Sequence, residues 1–286
     1  MKFAIFQDSR IGGRALNEDR LGYRYTSDAL VMVAADGLGG HGHGELAAEA
    51  AVRSIVATFD RQATPRLADP AHFLADALSG AHVAIRAQAG LRRLADQPRT
   101  TCVACVIQDG VALWGHAGDS RCYLLRDGRV AARTRDHSRV QALVDEGRLA
   151  ADAARAHPQR NLLTSCLGSD QEPRFEFSAR TALERGDVLL LCTDGVWGPL
   201  DDDAPLLALA ARRGSEATRQ APRLLDRVES LAGSGRDNLS LIVLAWDEER
   251  RATVPVPSAS AAWTEDDFQR TINTTTQRLH AKDPPP

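Results

Sequence analysis

Strands and helices follow one another in blocks along this chain, and that order limits the folds available to it. Apolar strand patterns occupy residues 3–6, 21–26 and 30–35, after which two helical patterns, 44–59 and 71–94, run in succession. Strand patterns return from residue 101 onward. Parallel βαβ folds need strands and helices to alternate, whereas blocks of each are typical of α+β proteins. The sequence therefore predicts an α+β architecture of layered sheets and helices.

Tight hairpin signals fill the β-rich segment between residues 101 and 133. Asp109-Gly110 and Asp127-Gly128 each separate two strand patterns. An Asp-Gly pair favours a two-residue hairpin because both of its residues tolerate positive φ. This segment is therefore predicted to form an antiparallel meander. Further strand patterns lie at 174–179, 188–192 and 239–246, and helical patterns lie at 206–212 and 219–231.

The composition changes after Asp247, where we place the end of the folded body. Five of the 13 prolines fall between residues 252 and 286, together with many serines and threonines. We therefore divide the chain into a body, 1–247, and a linker and tail, 248–286. Thr264 and Asp267 have capping-box spacing, which predicts a short helix over about 265–280. Its apolar stripe is too thin to fold alone, so it either docks on the body or a partner, or the tail is disordered.

The basic residues exclude several enzyme classes. Of 35 basic residues only Lys2 and Lys282 are lysine. P-loop ATPases, protein kinases and pyridoxal enzymes need an internal lysine, so all three are excluded. A net charge of −3 offers no basic surface for nucleic acid, and the apolar runs are too short to cross a membrane. Five cysteines without framework spacing and the absence of a secretory leader pattern predict a cytoplasmic location.

Two motifs are misleading. The segment Gly37–Gly42 fits the glycine pattern of dinucleotide-binding folds, between a strand and a helix. The acidic residue that such folds need about 20 residues later could only be Asp60, and no second strand leads to it. Cys102 and Cys105 point to opposite faces of a strand and have no second pair of zinc ligands. We interpret them as buried thiols.

Carboxylates at strand ends provide the strongest chemical signal. Asp36, Asp119 and Asp194 each end a strand pattern, and Asp237 precedes one. Any one of them could be an ordinary Asx turn. Together with Glu18 and Asp19, they would repel one another unless cations lay between them. Oxygen ligands without histidine or cysteine suit Mg²⁺ or Mn²⁺, and two such ions activate water and polarise a phosphoryl oxygen. Arg14 would add a bidentate fork for phosphate.

Eight motifs, in order, resemble those of the PPM family, the type 2C metal-dependent Ser/Thr protein phosphatases, and most closely its bacterial branch. The resemblance covers residues 6–246. The motifs are Arg14-x-x-Asn17-Glu18-Asp19, Ala35-Asp36-Gly37-Leu38-Gly39-Gly40-His41, Thr100-Thr101, Gly118-Asp119-Ser120-Arg121, Asp136-His137-Ser138, His157-Pro158-x-Arg160-Asn161, Thr193-Asp194-Gly195 and Asp237-Asn238.

The resemblance implies a PPM-type catalytic domain over 1–247, built as an α-β-β-α sandwich of two antiparallel sheets flanked by helices, with a metal cleft at one end. Residues 138–173 would form a flap beside this cleft. Two Mn²⁺ or Mg²⁺ ions are implied, with a weak third. The implied catalytic residues are Arg14, Asp36, Asp194 and Asp237, and the implied metal residues are Glu18, Asp19, Asp36, Gly37, Asp119, Asp194 and Asp237.

Within that set, the resemblance implies individual roles. Asp36 would bridge the two ions and the Gly37 carbonyl would join one of them, while Asp194 and Asp237 would hold the other. Asp19, perhaps with Glu18, would act through coordinated water. Asp119 and Asp194 would offer the third site. Arg14 would bind the substrate phosphate.

Three positions depart from the family pattern. Leu38 stands where animal members have a histidine proposed as general acid, so the leaving group would take its proton from water or another residue. Gly198 stands where many members have an acid near the third ion. Ser165 stands where an arginine is usual, which leaves the contacts of the flap open.

The implied activity is hydrolysis of phosphoserine and phosphothreonine on proteins by a metal-bridging hydroxide, as part of bacterial signalling. Its substrates would be phosphorylated proteins made by a Ser/Thr kinase, and we expect a monomer that binds neither nucleic acid nor membrane. The alternatives are a phosphoprotein-binding pseudophosphatase and a hydrolase of small phosphate esters or nucleotides. Loss of metal aspartates would mark a pseudophosphatase, but Asp36, Asp119, Asp194 and Asp237 are all present.

Overall fold

The structure is a computed structural model that describes residues 1–39, 42–200, 203–211, 214–233 and 236–249. The tail, with its expected helix at 265–280, lies outside the described residues, as do Gly40 and His41 of the second motif. The strands are β1 Phe3–Arg10, β2 Asp19–Tyr25, β3 Ala29–Asp36, β4 Cys102–Gln108, β5 Val111–Ala117, β6 Arg121–Arg126, β7 Arg129–Arg133, β8 Glu176–Phe177, β9 Thr181–Ala182, β10 Val188–Cys192 and β11 Leu239–Trp246. The helices are α1 Gly44–Gln62, α2 Pro70–Arg92, α3 Arg139–Asp145, α4 Asp194–Trp197, α5 Ala204–Ala210, α6 Ser215–Thr218 and α7 Ala221–Ala232, with a 3₁₀ turn at Ala154–Ala156.

Two antiparallel sheets form the centre of the molecule. One has the strand order β1-β11-β10-β6-β7, and the other has the order β2-β3-β4-β5-β8, with β9 also pairing with β5. Both predicted hairpins are present: Asp109 and Gly110 have φ of 55° and 71°, and Asp127 and Gly128 have φ of 50° and 71°. These positive values are the conformations that Asp-Gly tolerates and that most other pairs resist.

The core lies in three apolar layers. On β3, Val31 and Val33 pack against α1 and α2, while the alternate residues Leu30 and Met32 face the other sheet. A strand covered on both faces reads as a continuous apolar run, which is why residues 30–35 show no polar alternation. A third cluster joins the other sheet to helices α4–α7. The arrangement confirms the predicted α-β-β-α sandwich.

Local signals explain how α2 begins and ends. The Asp69 carboxylate accepts hydrogen bonds from the backbone N–H groups of Ala71 and His72, so Asp69 is the N-cap, and Pro70 occupies the first turn. Proline is favoured there because its missing N–H would have no helical partner. At the other end, Arg93 takes a left-handed conformation and closes the helix.

Differences from the sequence expectations are confined to short elements. The pattern at 174–179 pairs with β5 only at Glu176 and Phe177. Helices α3 and α4 are not predicted, because seven and four residues are too few to show a helical period. Among the described residues, no helix combines the length and apolar character needed to span a membrane.

The inter-sheet layer generates a stability prediction. Leu244 of β11 is fully buried there, and Leu244→Ala is expected to lower the free energy of unfolding by about 2–5 kcal/mol, because it removes buried methyl groups and leaves a cavity. Urea unfolding of both proteins measures the difference. The control Leu91→Ala, at a side chain that is 86% exposed, should change it by less than about 0.5 kcal/mol. Equal effects of the two variants would contradict this packing.

Candidate metal centre

Strand pairing brings the predicted carboxylates to one end of the sandwich. Asp19 and Asp36 are direct partners across β2 and β3. In the other sheet β10 runs antiparallel to β11, so Asp194, just after β10, lies beside Asp237, just before β11. Each sheet therefore contributes two aspartates to the same end of the sandwich. Their mutual repulsion is evident at Asp36, whose pKa is raised by burial and then by Asp194, Asp19, Asp119 and Asp237.

Two of these aspartates are positioned by close contacts between backbone segments, and each contact requires a glycine. A β-carbon on Gly37 would lie 2.3 Å from the Gly44 carbonyl oxygen, and one on Gly195 would lie 2.0 Å from the Asn238 carbonyl oxygen. No side chain fits at such distances. The first contact packs the Asp36 loop onto the start of α1, and the second packs the start of α4 onto the segment that carries Asp237.

Threonines of the third predicted motif hold the backbone of Asp36. The Asp36 N–H donates to Thr101 Oγ1 at 3.1 Å, and its carbonyl oxygen accepts from the Thr101 N–H and from Thr100 Oγ1, each at 2.8 Å. The Thr101 hydroxyl also shares a 2.7 Å hydrogen bond with Ser120 Oγ, next to Asp119. Backbone contacts thus fix Asp36 and leave its carboxylate available to ligands.

The charge state of the cluster favours hard cations. Burial, followed by repulsion from neighbouring aspartates, raises the pKa of Asp19 to about 7 and that of Asp194 to about 6. It also raises the pKa of Asp119 well above its usual range. Asp19 Oδ2 accepts from Thr193 Oγ1 at 2.9 Å, while its buried Oδ1 has no hydrogen-bond partner among the described residues. Excess negative charge and an unpartnered oxygen fit Mg²⁺ or Mn²⁺, which prefer oxygen ligands.

Arg14 lies at the solvent side of this cluster. Its Nη2 donates to Asp237 Oδ2 at 2.6 Å, and its side chain remains 57% exposed. The hydrogen bond from Arg14 to Asp237 raises the pKa of Arg14 further, so the guanidinium is always charged. A guanidinium has five N–H donors, and most of those of Arg14 stay available to an anion that enters from solvent.

Asn238, which belongs to the last of the eight motifs but has no role predicted from the sequence, anchors the loop that carries Arg14. Its Nδ2 donates to the carbonyl oxygens of Ile11 at 2.8 Å and Leu16 at 3.1 Å, and its Oδ1 accepts from the Glu18 N–H at 2.9 Å. An amide can donate and accept at once, so one buried side chain closes the loop at both ends.

Glu18 and Asp19 are neighbours in sequence but have different surroundings. The Asp19 side chain enters the carboxylate cluster, whereas Glu18 accepts a hydrogen bond from the backbone of Gly44 at the start of α1. Burial raises the pKa of Glu18, with a further contribution from Glu45. The positive end of the α1 dipole therefore offsets part of the cost of its charge.

Asp119 is joined to the start of the predicted flap by residues whose roles the sequence does not predict. Its carbonyl oxygen accepts from Trp197 Nε1 at 3.0 Å, and the Arg121 guanidinium carbon lies 3.4 Å from the centre of the Trp197 ring. Arg121 also donates to both oxygens of Asp136, at 2.8 and 2.7 Å. Arg121 and Asp136 belong to two different sequence motifs, and the sequence does not indicate that they form a pair. Ser165, in the flap, donates to the Arg174 carbonyl oxygen at 2.8 Å.

His116, His137 and Glu176 form a second group whose potential ligand atoms lie within 4.8 Å of one another. The Gly118 N–H donates to His137 Nδ1 at 3.3 Å, so the ring proton is on Nε2, which faces Glu176 Oε2 at 3.6 Å. A metal would need that Nε2 lone pair. Burial, and then His137, lower the pKa of His116 to about 4, so His116 is neutral. We interpret this group as a polar cluster beneath the cleft.

The cysteines agree with their interpretation as buried thiols. All five are buried and unpaired. Burial raises the pKa values of Cys102 and Cys192 to about 12, so neither forms a thiolate at neutral pH.

Sequence comparisons place the chain among known proteins. The family model described as protein phosphatase 2C matches residues 6–229. The serine/threonine protein phosphatase PstP of Mycobacterium tuberculosis is 34% identical over 271 residues, which are 94% of this chain and 49% of PstP. Protein phosphatase PhpP of Streptococcus pneumoniae is 30% identical over 261 residues, which are 87% of this chain and 99% of PhpP. The chain thus spans about half the length of PstP and nearly all of PhpP.

Solved structures agree with that placement. The crystal structure of M. tuberculosis PstP matches with a TM-score of 0.73 and 31% identity, covering 87% of this chain and all of the solved one. The catalytic domain of PstP in complex with two manganese ions matches with a TM-score of 0.69 and 30% identity, covering 86% of this chain and 99% of that domain. Fold, motif order and sequence agree, and this chain belongs to the protein phosphatase 2C family.

Proposed function

We propose that this chain is a bacterial, Mn²⁺- or Mg²⁺-dependent phosphatase that hydrolyses phosphoserine and phosphothreonine on proteins. The observation that carries the proposal is the cluster of aspartates from both sheets beside the exposed guanidinium of Arg14, in which burial and then mutual repulsion raise the pKa values of Asp19, Asp36 and Asp194. Family membership and the two manganese ions of the PstP catalytic domain support it. When bound, the two cations supply water activation and polarisation of the phosphoryl oxygen.

The residues of this chain would divide the remaining work. Asp36 and the Gly37 carbonyl, with Asp194 and Asp237, would hold the cations, and Asp19 would act through coordinated water. Arg14 would turn from Asp237 toward the substrate and bind its phosphoryl oxygens. Leu38 has no proton to donate, so the serine or threonine oxygen that leaves would take its proton from water or from another residue.

The remaining parts of the proposal concern the protein in its cell. We place it in the cytoplasm as a monomer that acts on the products of a Ser/Thr kinase. A pseudophosphatase of the same fold is less well supported, because such a protein would keep the sandwich without the metal aspartates. All four aspartates are present here, and burial followed by repulsion from Asp194, Asp119 and Asp237, among others, raises the pKa of Asp36, as expected for carboxylates gathered in one cluster.

The first prediction concerns the carboxylates. Asp36→Ala and Asp237→Asn should each lower kcat for a phosphothreonine peptide by several orders of magnitude while the protein stays folded, because each removes a charge that balances a cation. Phosphate release with Mn²⁺, compared with chelator-treated enzyme, measures the loss. Asp60→Asn, which changes a surface carboxylate paired with Arg24, is the matched control and should retain activity. Activity of Asp36→Ala or Asp237→Asn within about tenfold of wild type would contradict the two-metal assignment.

The second prediction concerns Arg14. Arg14→Ala should raise KM for a phosphopeptide more than it lowers kcat, because Arg14 would bind phosphate already in the ground state. Steady-state kinetics with Mn²⁺ separate the two constants. Arg24→Ala, which removes another exposed arginine, should leave both unchanged. An unchanged KM in Arg14→Ala would reassign Arg14 to a structural role at Asp237.

The third prediction follows from the raised pKa values. In the folded state the Asp19 carboxyl stays protonated up to about pH 7 and the Asp194 carboxyl up to about pH 6. In the unfolded chain both carboxyls lose their protons near pH 4. The unfolded state therefore binds fewer protons between these limits, and the stability of the metal-free protein falls as pH rises from about 4 to about 7. Cations offset that repulsion, so Mn²⁺ should raise Tm more at pH 7.5 than at pH 5.5.

Thermal unfolding with chelator and with Mn²⁺ at both pH values tests this. Asp36→Asn removes one of the repelling charges, so it should stabilise the metal-free protein at pH 7.5 and reduce the gain from Mn²⁺. Equal Mn²⁺-induced shifts in Tm at the two pH values would show that the carboxylates do not carry this repulsion.

The weak third ion is part of the proposal. Asp119 and Asp194 offer two carboxylates, and Gly198 adds none, so the ion should bind less tightly than the other two. Wild-type activity should then rise again with Mn²⁺ after the first pair of sites is saturated, and Asp119→Ala should remove this second rise. A single saturating phase, unchanged in Asp119→Ala, would contradict a kinetic role. Gly198→Asp is unsuitable as a gain-of-function variant, because its β-carbon would lie 2.7 Å from the Asp194 carbonyl oxygen.

A further inference from the structure

A groove runs from the metal centre along the inner side of the flap. Its volume is about 720 Å³, and it begins at Arg14 and Asp237 and continues past Gln141 to Arg160. Cavities of roughly 300–1,000 Å³ hold whole drug-sized ligands, so this one is much larger than a phosphoryl group needs. A phosphopeptide bound at the metal centre would therefore place neighbouring residues in the groove.

The groove is rich in arginine. Arg133, Arg160 and Arg236 line it beyond Arg14. Arg133 and Arg160 are exposed and form no ion pair with any described residue, and Arg236 has a buried Nε without a hydrogen-bond partner in the described structure.

The carboxylates of the groove do not balance these arginines. Among the described residues that line it, the carboxylates are Asp119, Asp194, Asp237 and Asp136. The first three belong to the candidate metal centre, and Arg121 already binds both oxygens of Asp136. Beyond the metal centre, the described lining of the groove therefore carries uncompensated positive charge at Arg133 and Arg160, and a positive cleft with low-dielectric walls attracts anionic groups.

We propose that this groove selects phosphoprotein segments in which aspartate or glutamate flanks the phosphorylated residue. The inference rests on the proposed phosphatase function and adds a substrate class to it. The phosphoryl group would lie at Arg14, and carboxylates on adjacent residues would reach Arg133 and Arg160. Arginine suits this role because its planar fork binds carboxylates in bidentate geometry. Val140, Val144 and Leu231 add apolar contacts for the aliphatic parts of the segment.

Two phosphothreonine peptides that differ only in their flanking residues test the proposal. One has aspartate at positions on both sides of the phosphothreonine, and the other has asparagine at the same positions. With Mn²⁺, kcat/KM for the acidic peptide should exceed that for the neutral one by about three- to tenfold at low salt, which is the effect of a few exposed ion pairs. The ratio should fall toward one at high salt, because ions screen such pairs.

Variants then assign the effect to the groove. The double variant Arg133→Gln/Arg160→Gln should reduce the ratio toward one. Arg129→Gln is the matched control, because Arg129 is an exposed arginine at the other end of the same strand, β7, and does not line the groove. Each Arg→Gln substitution lowers the net charge of the protein by one unit, yet Arg129→Gln should keep the ratio of the wild type. Thermal unfolding confirms that each variant is folded.

The outcomes separate the two proposals. Equal kcat/KM for both peptides in the wild type would overturn the acidic preference and leave the phosphatase function intact. Absence of metal-dependent hydrolysis of either peptide would overturn the phosphatase function itself. A preference that persists in the double variant, or that Arg129→Gln reduces equally, would show that the groove arginines are not its source.

Discussion

Repulsion among buried carboxylates is the constraint on which the rest of this site depends. Asp36 and Asp19 come from one sheet, and Asp194 and Asp237 come from the other. Carboxylates of like charge therefore lie where the two sheets pack together at this end. Burial makes these charges more costly, which the pKa values of about 7 at Asp19 and about 6 at Asp194 reflect. Cations between the carboxylates would turn this repulsion into attraction, so metal binding would stabilise the packing of the two sheets at this end.

The surrounding structure holds the carboxylates against that repulsion. Thr100 and Thr101 fix the Asp36 backbone, and Thr193 binds Asp19 while its own oxygen accepts from the Ser240 N–H. Asn238 ties the Arg14 loop to the start of β11. These are neutral groups that both donate and accept hydrogen bonds, and none of them neutralises a carboxylate. The scaffold therefore places the charges and leaves their compensation to cations and to Arg14.

A second set of contacts extends from the cluster to the flap. Arg121 stacks on Trp197, whose Nε1 donates to the Asp119 carbonyl oxygen, and Arg121 binds Asp136 at the base of the flap. The Gly118 carbonyl oxygen accepts from the His137 N–H, and His137 Nδ1 accepts from the Gly118 N–H. The flap therefore begins from the same residues that place Asp119.

The sequence by itself determined a layered α+β architecture, the two Asp-Gly hairpins and the aspartates at strand ends, because apolar periodicity, turn residues and acids at strand ends are local signals. The sandwich of two antiparallel sheets was implied by the resemblance of the ordered motifs. Contacts between distant residues were decided only by the tertiary structure. Arg14 and Asp237 are 223 residues apart, and the pairing of Thr193 with Asp19 spans 174. Such contacts depend on how the two sheets register and on how close their loops approach at Gly37 and Gly195. The same packing places the Asp19 side chain in the carboxylate cluster and the Glu18 side chain at the start of α1. The sequence alone does not predict this difference, because the two acids are adjacent in the chain.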